Sequence, residues 1–262
     1  LYYWAERNPE KPYLTQPYPD GTVEEITWKQ AADQVSRMAA HINSLELPER
    51  SNIAILGKNS AHWILSDLAI WAAGHVSVPL YPTLNGEAAA YILEHSEAKL
   101  LFLGKLDGTA DGWNDIKGHI PSDLPIISLP MSPRNDTPKW LDVIAEHEPV
   151  TPGLPDPDTL ATIAYTSGST GRPKGVMHSF RAMMSVGWLA ADVHCVIRRP
   201  YAVLSSTGSC GGTGGGGNPV AVFRLSCVFC QYSGNLPAGF AACPANPVFL
   251  CSPPVDEVLP RS

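Results

Sequence analysis

The chain has 262 residues, 44% of them hydrophobic, and a formal net charge of −7. That length allows one large core or two modest ones, while an acidic balance with no basic run excludes the nucleic-acid-binding class. No apolar stretch reaches transmembrane length and no secretory signal opens the chain, so a cytoplasmic protein is expected. Leu1 is not an initiator methionine, from which we expect that residues precede it in the natural protein.

Taken in order, the first 25 residues carry Tyr2, Tyr3, Trp4 and Tyr13 and then the turn-like Tyr18-Pro-Asp-Gly21. Thr27 can cap a helix whose apolar positions, from Ala31 through Val35, Met38 and Ile42 to Leu45, recur at helical spacing, and Pro48 stops it. Ile53–Leu56 reads as a short buried strand ending at Gly57. Ser60 starts the next helix, which Gly74 closes. Trp63 and Trp71 on that helix read as core residues. Val76–Leu80 is a strand, followed by a helix over 86–95, a strand Lys99–Leu103, a strand Pro125–Leu129 and a helix over 138–147. Strands alternating with helices, and apolar on both faces, predict an α/β fold with a parallel sheet covered by flanking helices. In such sheets ligands sit beyond the carboxyl ends of the strands.

The apolar run Leu160–Ala164 predicts one more strand, and it delivers Tyr165-Thr-Ser-Gly-Ser-Thr-Gly-Arg-Pro-Lys174-Gly-Val176. Thr166, Ser167, Ser169 and Thr170 supply hydroxyls. Gly168 and Gly171 let the backbone come close to a ligand, and Lys174 adds a compact positive charge. Successive N–H groups with hydroxyls can wrap phosphate oxygens, so the string reads as an anion-binding loop suited to a nucleoside triphosphate. It is not a Walker A loop, because Lys174 follows Pro173 rather than a glycine. Composition alone would also fit a flexible Ser/Gly surface loop. His178, four residues after Lys174, reads as a helix-start residue and takes no catalytic role.

This string resembles the phosphate-binding signature of the adenylate-forming (AMP-binding) superfamily. Residues 1 to about 185 resemble the N-terminal part of a bacterial long-chain fatty-acid–CoA ligase, in Pro9-Glu-Lys-Pro12, Ile53-Ala-Ile-Leu-Gly-Lys-Asn59, Val78-Pro-Leu-Tyr-Pro82 and Tyr91-Ile-Leu-Glu-His-Ser-Glu97. The resemblance implies ATP-dependent activation of a fatty acid to an acyl-adenylate and its transfer to coenzyme A. Thr166, Ser167, Gly168, Ser169, Thr170, Gly171 and Lys174 would then hold the β- and γ-phosphates, with Mg²⁺ shared by those phosphates. ATP, a fatty acid and coenzyme A are the expected partners, and peripheral contact with a membrane is left open for the intact enzyme. Another carboxylate-adenylating ligase, acting on medium-chain or aryl acids, and a non-catalytic nucleotide-binding half-domain are the alternatives.

Residues 186–262 read differently. All eight lysines lie at or before Lys174, and all six cysteines lie after it, at Cys195, Cys210, Cys227, Cys230, Cys243 and Cys251. Only Cys227-Val-Phe-Cys230 has ligand-like spacing, with no second pair to complete a site, so no metal is assigned. Gly208–Gly217 is nearly all Gly, Ser and Thr, yet Val220–Phe223 is apolar rather than solvating, which argues against ordinary disorder. Advancing the codon frame by one base offers a third reading. Arg198–Thr213 then permits DDRMLSYLPLAHVAER and residues 242–255 permit RARPTLFFSVPRLW, strings similar to those a long-chain acyl-CoA ligase carries next. We therefore expect two segments, a partial AMP-binding domain over 1–185 and a non-native or disordered tail over 186–262, with the frame lost between about Ala182 and Arg198. The family's Tyr-Gly-x-Thr-Glu segment is absent, since Tyr232-Ser-Gly234 is followed by Asn-Leu. A fragment without activity of its own is the expectation, and no residue is assigned as catalytic.

Overall fold

Capping residues legible in the sequence start the main helices of the computed structural model, which describes residues 1–106, 110–166, 172–185 and 248–249. Helix α1 (Tyr2–Arg7) precedes an antiparallel hairpin of β1 (Pro12–Pro17) and β2 (Val23–Thr27). Its turn is the expected one: the Gly21 amide donates to the Tyr18 carbonyl and Gly21 takes φ +85°. Thr27 opens α2 (Trp28–Ser44) with a full capping box. The Gln30 amide donates to Thr27 Oγ1 at 3.2 Å, and the Thr27 amide donates to Gln30 Oε1 at 2.8 Å.

The alternation of strand and helix then follows: β3 (Asn52–Leu56), α3 (Ala61–Ala72), β4 (Val76–Leu80), α4 (Gly86–His95), β5 (Leu100–Leu103), α5 (Ala110–Lys117), β6 (Ile126–Ser128) and α6 (Trp140–Ala145). Ser60 accepts from the Trp63 amide at 3.1 Å and Asn85 accepts from the Ala88 amide at 2.9 Å, capping α3 and α4. Gly74 closes α3 at φ +82° while the His75 amide reaches back to the Ile70 carbonyl, a Schellman ending. Helix α6 is shorter than the 138–147 expected. Its approach is committed to the sheet, because the Ser128 amide bonds the Pro138 carbonyl and Ser128 bridges Lys139.

The main sheet has six strands in the order β6-β5-β3-β4-β7-β8, where β7 is Leu160–Thr166 and β8 is Lys174–Ser179. The first five are parallel and β8 is antiparallel to β7. Alternate residues of β3 and β5 divide the core into two layers, as period-two geometry requires. Ile53, Ile55, Leu100 and Phe102 face the layer of α2, α3, α6 and the N-terminal hairpin, where Tyr13 stacks on Trp28 at 3.9 Å. Ala54, Leu56, Leu101 and Leu103 face the layer holding Ala89, Ile92 and Leu93 of α4 and Ile116 of α5. Trp71 is buried and Trp63 partly buried in the first layer, in keeping with core roles.

Helices α1 and α5 and strands β1, β2, β8 and β9 (Val248–Phe249) were not expected from the sequence. The hairpin β1–β2 is buried across both faces of β1, so it shows no alternation, and proline stands at each end of that strand. Backbone at Val248–Phe249 forms β9, parallel to β1 with Leu14 opposite Val248 and Thr15 opposite Phe249. Apart from that pair, the segment 186–262, with its six cysteines, lies outside the described residues.

Candidate functional site

Strand β7 is built from β-branched and aromatic residues among alanines, which suits a strand packed on both faces. It runs parallel to β4, so Thr166 stands at the carboxyl end of the parallel sheet, where the sequence reading put the loop. The chain returns as β8, and the ladder sets Thr166 opposite Lys174, Tyr165 opposite Gly175 and Thr162 opposite His178. Directly opposed residues of an antiparallel pair project to one face, with Cβ atoms about 4.5–5.5 Å apart. The Thr166 hydroxyl and the Lys174 ammonium are therefore carried side by side at the mouth of the hairpin, and both residues are exposed. Lys174 makes no ion pair with any described residue. Ser167, Gly168, Ser169, Thr170 and Gly171 lie outside the described residues.

One expectation is corrected here. Lys174–Ser179 is a strand, and His178 is a partly buried strand residue across from Thr162, not the start of a helix. Pairing with β7 along the whole of β8 overrides a local pattern that contains a Gly and no strand-like alternation.

Both stems of the hairpin mouth meet helix α4. The phenol oxygen of Tyr165, a residue 3% exposed, lies 2.7 Å from His95 Nδ1. Burial, and after it the neighbouring Tyr91, raise the Tyr165 phenol above its ordinary range, so it stays protonated. The Arg172 guanidinium carbon lies 5.6 Å from the centroid of the Tyr91 ring. Gly175 is required first by Ile163, since a Cβ there would fall 2.8 Å from Ile163 Cγ2, and next by the Tyr165 ring, whose Cζ would lie at 3.3 Å. Tyr91, His95 and Arg172 were not singled out from sequence. The one available signal was the four-residue spacing of Tyr91 and His95, which puts both on one helix face.

Lys58 and Lys105 follow the carboxyl ends of β3 and β5, where the Lys58 amide bonds the Lys105 carbonyl at 2.6 Å. They leave the sheet on the same side as Thr166. Their strands are held together by the close approach of Gly57 to Gly104, where a Cβ on Gly57 would lie 2.9 Å from Gly104 Cα. Among the described residues no cluster of three His, Cys, Asp or Glu side chains could hold a metal ion. A surface hollow of about 780 Å³, lined by residues 128–136 and 139–142, lies by β6 at the edge of the sheet opposite β8 and takes no part in this site.

A family model described as AMP-binding enzyme matches residues 1–208. Fatty acyl-CoA synthetase A of Dictyostelium discoideum is 32% identical over 192 residues, covering 64% of this chain and 28% of that protein. Long-chain-fatty-acid–CoA ligase FadD15 of Mycobacterium tuberculosis is 31% identical over 161 residues, covering 60% of this chain and 26% of its own length. The chain thus spans about a quarter of the curated relatives it matches. Among solved structures, acetoacetyl-CoA synthetase from Streptomyces lividans superposes with a TM-score of 0.64 at 20% identity, over 74% of this chain and 31% of that one. A red-emitting luciferase from Phrixothrix hirtus superposes with a TM-score of 0.61 at 18% identity, over 73% and 37%. These likenesses establish the α/β architecture of the described residues.

Proposed function

The chain belongs to the AMP-binding enzyme family, and on that premise we propose that its parent reaction is ATP-dependent activation of a long-chain fatty acid followed by transfer to coenzyme A. The single observation that carries this reading is the pairing of Thr166 with Lys174 across the mouth of the β7–β8 hairpin. Between them the sequence holds only Ser, Gly and Thr before Arg172 and Pro173. In this proposal Thr166, Ser167, Ser169 and Thr170 offer hydroxyls and the backbone through Gly168 and Gly171 offers N–H groups to the β- and γ-phosphates. Lys174 adds its charge, stabilising the pyrophosphate as it departs. The fatty-acid carboxylate attacks the α-phosphorus, the bond to the pyrophosphate oxygen breaks, and the acyl-adenylate forms. The thiol of coenzyme A then attacks the acyl carbon and AMP leaves. Mg²⁺ would travel with the phosphates, and no step here is assigned to it. The names of the relatives support the long-chain substrate.

Within this reading the 262-residue chain itself binds nucleotide weakly and forms no thioester. Supporting this is the change in character after residue 185, where Tyr232-Ser-Gly234 is followed by Asn-Leu rather than by the Thr-Glu of the family's segment. Residues 1–185 are the partial AMP-binding domain and 186–262 an out-of-frame tail; the family match ends at residue 208, so the proposed break lies inside it. No helix of the described residues is long and apolar enough to cross a membrane, and cytoplasmic placement is part of the proposal. Two measurements test it. Sequencing the coding DNA across codons 180 to 200 should give an uninterrupted ligase frame one base on, and an early stop codon there would refute the frame reading. Incubating the purified chain with ATP, Mg²⁺, palmitate and coenzyme A should give no palmitoyl-CoA; formation of the thioester would overturn its inactivity.

A further inference from the structure

We propose that the face of α4 bearing Tyr91 and His95 is the positioning element of the phosphate loop, gripping the stem on each side of it. The inference rests on the nucleotide-binding reading above. One stem is Tyr165, the residue just before Thr166. A core position under α4 needs only its ring, which belongs to the second core layer together with Leu56, Val78 and Leu93, and phenylalanine would fill that volume. The hydroxyl has a separate use: it meets His95 Nδ1 at 2.7 Å, with the two rings edge to face at 5.8 Å and 87°. Across the ladder stands Gly175, where a Cβ would fall 2.8 Å from Ile163 Cγ2 and 3.3 Å from Tyr165 Cζ, so the ring lies beside a glycine of an edge strand.

The other stem is Arg172, the first described residue beyond the loop. Its guanidinium lies over Tyr91, and Tyr91 in turn packs on His95 with centroids 5.4 Å apart. Tyr91 and His95 are one helical turn apart, so a single rigid face receives both stems. A hairpin ladder alone fixes the register of Thr166 against Lys174; the two contacts to α4 add the tilt of the mouth relative to the sheet. That matters because phosphate oxygens are held by donors whose geometry is set before the ligand arrives. Tyr91, His95 and Tyr165 touch no substrate in this account and are positioning residues.

The test is titration of the 262-residue chain with MgATP, alongside thermal melting. Tyr165→Phe and His95→Ala should each weaken MgATP binding roughly fivefold, the loss of one orienting hydrogen bond, with little change in the melting midpoint. His95→Asn, whose amide can stand in for Nδ1, should recover most of the affinity. Arg172→Lys keeps the charge but not the flat stacking group, and should also weaken binding. If Tyr165→Phe, His95→Ala and Arg172→Lys bind MgATP as the original chain does, whether or not they melt earlier, the contacts are only structural and the inference fails. If the original chain shows no binding at all, the nucleotide reading fails and this inference with it. Should Tyr165→Phe unfold, the two surface variants, His95→Ala and Arg172→Lys, decide the matter.

Discussion

Asp67 should make this fold weaker as pH rises from about 4 to about 7, and Asp67→Asn should remove that weakness. The residue lies on α3 where the helix packs on the sheet, and burial pushes its carboxyl from 3.8 up to about 7, opposed only by a hydrogen bond with Ser77. In the unfolded chain the carboxyl loses its proton near its ordinary value. In the fold it keeps the proton until about pH 7. Between those limits the folded state holds one more proton than the unfolded state, so stability falls as pH rises. The gap corresponds to a ceiling of roughly 4 kcal/mol at about 1.4 kcal/mol per pH unit. The residue keeps some solvent exposure, which reduces the expected figure to about 1–2 kcal/mol. His62 works in the opposite sense: burial holds its imidazole down to about 4, so it favours the fold increasingly as pH rises from there. The original chain can therefore show a flat profile, and the informative quantity is the difference between the two proteins. Urea unfolding at pH 4.5 and pH 8 should find Asp67→Asn near parity at the lower pH and more stable by about 1–2 kcal/mol at the higher. A difference that does not change with pH would refute the reasoning.

Two further predictions concern the frame that holds the hairpin. Thr27→Ala removes the hydroxyl half of the α2 capping box and should cost about 1 kcal/mol in urea unfolding, without altering the aromatic signals of the core. Gly74→Ala places a side chain at φ +82°, where nothing stands within 4 Å of the added Cβ. The penalty is then backbone strain alone, about 1 kcal/mol, and a loss of several kcal/mol in the same unfolding assay would point to a contact that the structure does not contain.

Much of the architecture could be read from residues whose physics is local. Thr27, Ser60 and Gly74 mark helix ends because a hydroxyl or a missing Cβ acts within a few residues of itself. The alternating strands of β3 and β5 are apolar on both faces because helices cover both faces. What escaped was set by distant partners. β1 has no alternating pattern because its four central residues are all buried, with α2 and α3 among the elements that contact it. His178 sits in a strand because β7 pairs along the whole of Lys174–Ser179. In the site, Thr166 and Lys174 were legible as chemistry, whereas their opposition across a ladder was not. Tyr91 and His95 lie some 70 positions before the hairpin they meet, and no spacing rule connects a helix face to a strand end so far along the chain.

The account stands on Lys174 and the loop it closes, and MgATP titration of the original chain against Lys174→Ala tests that most directly. The account predicts saturable binding by the original chain and at least about tenfold weaker binding by the variant, as expected when a charge-assisted contact to phosphate is lost. Equal binding by both proteins, or none by either, would contradict it.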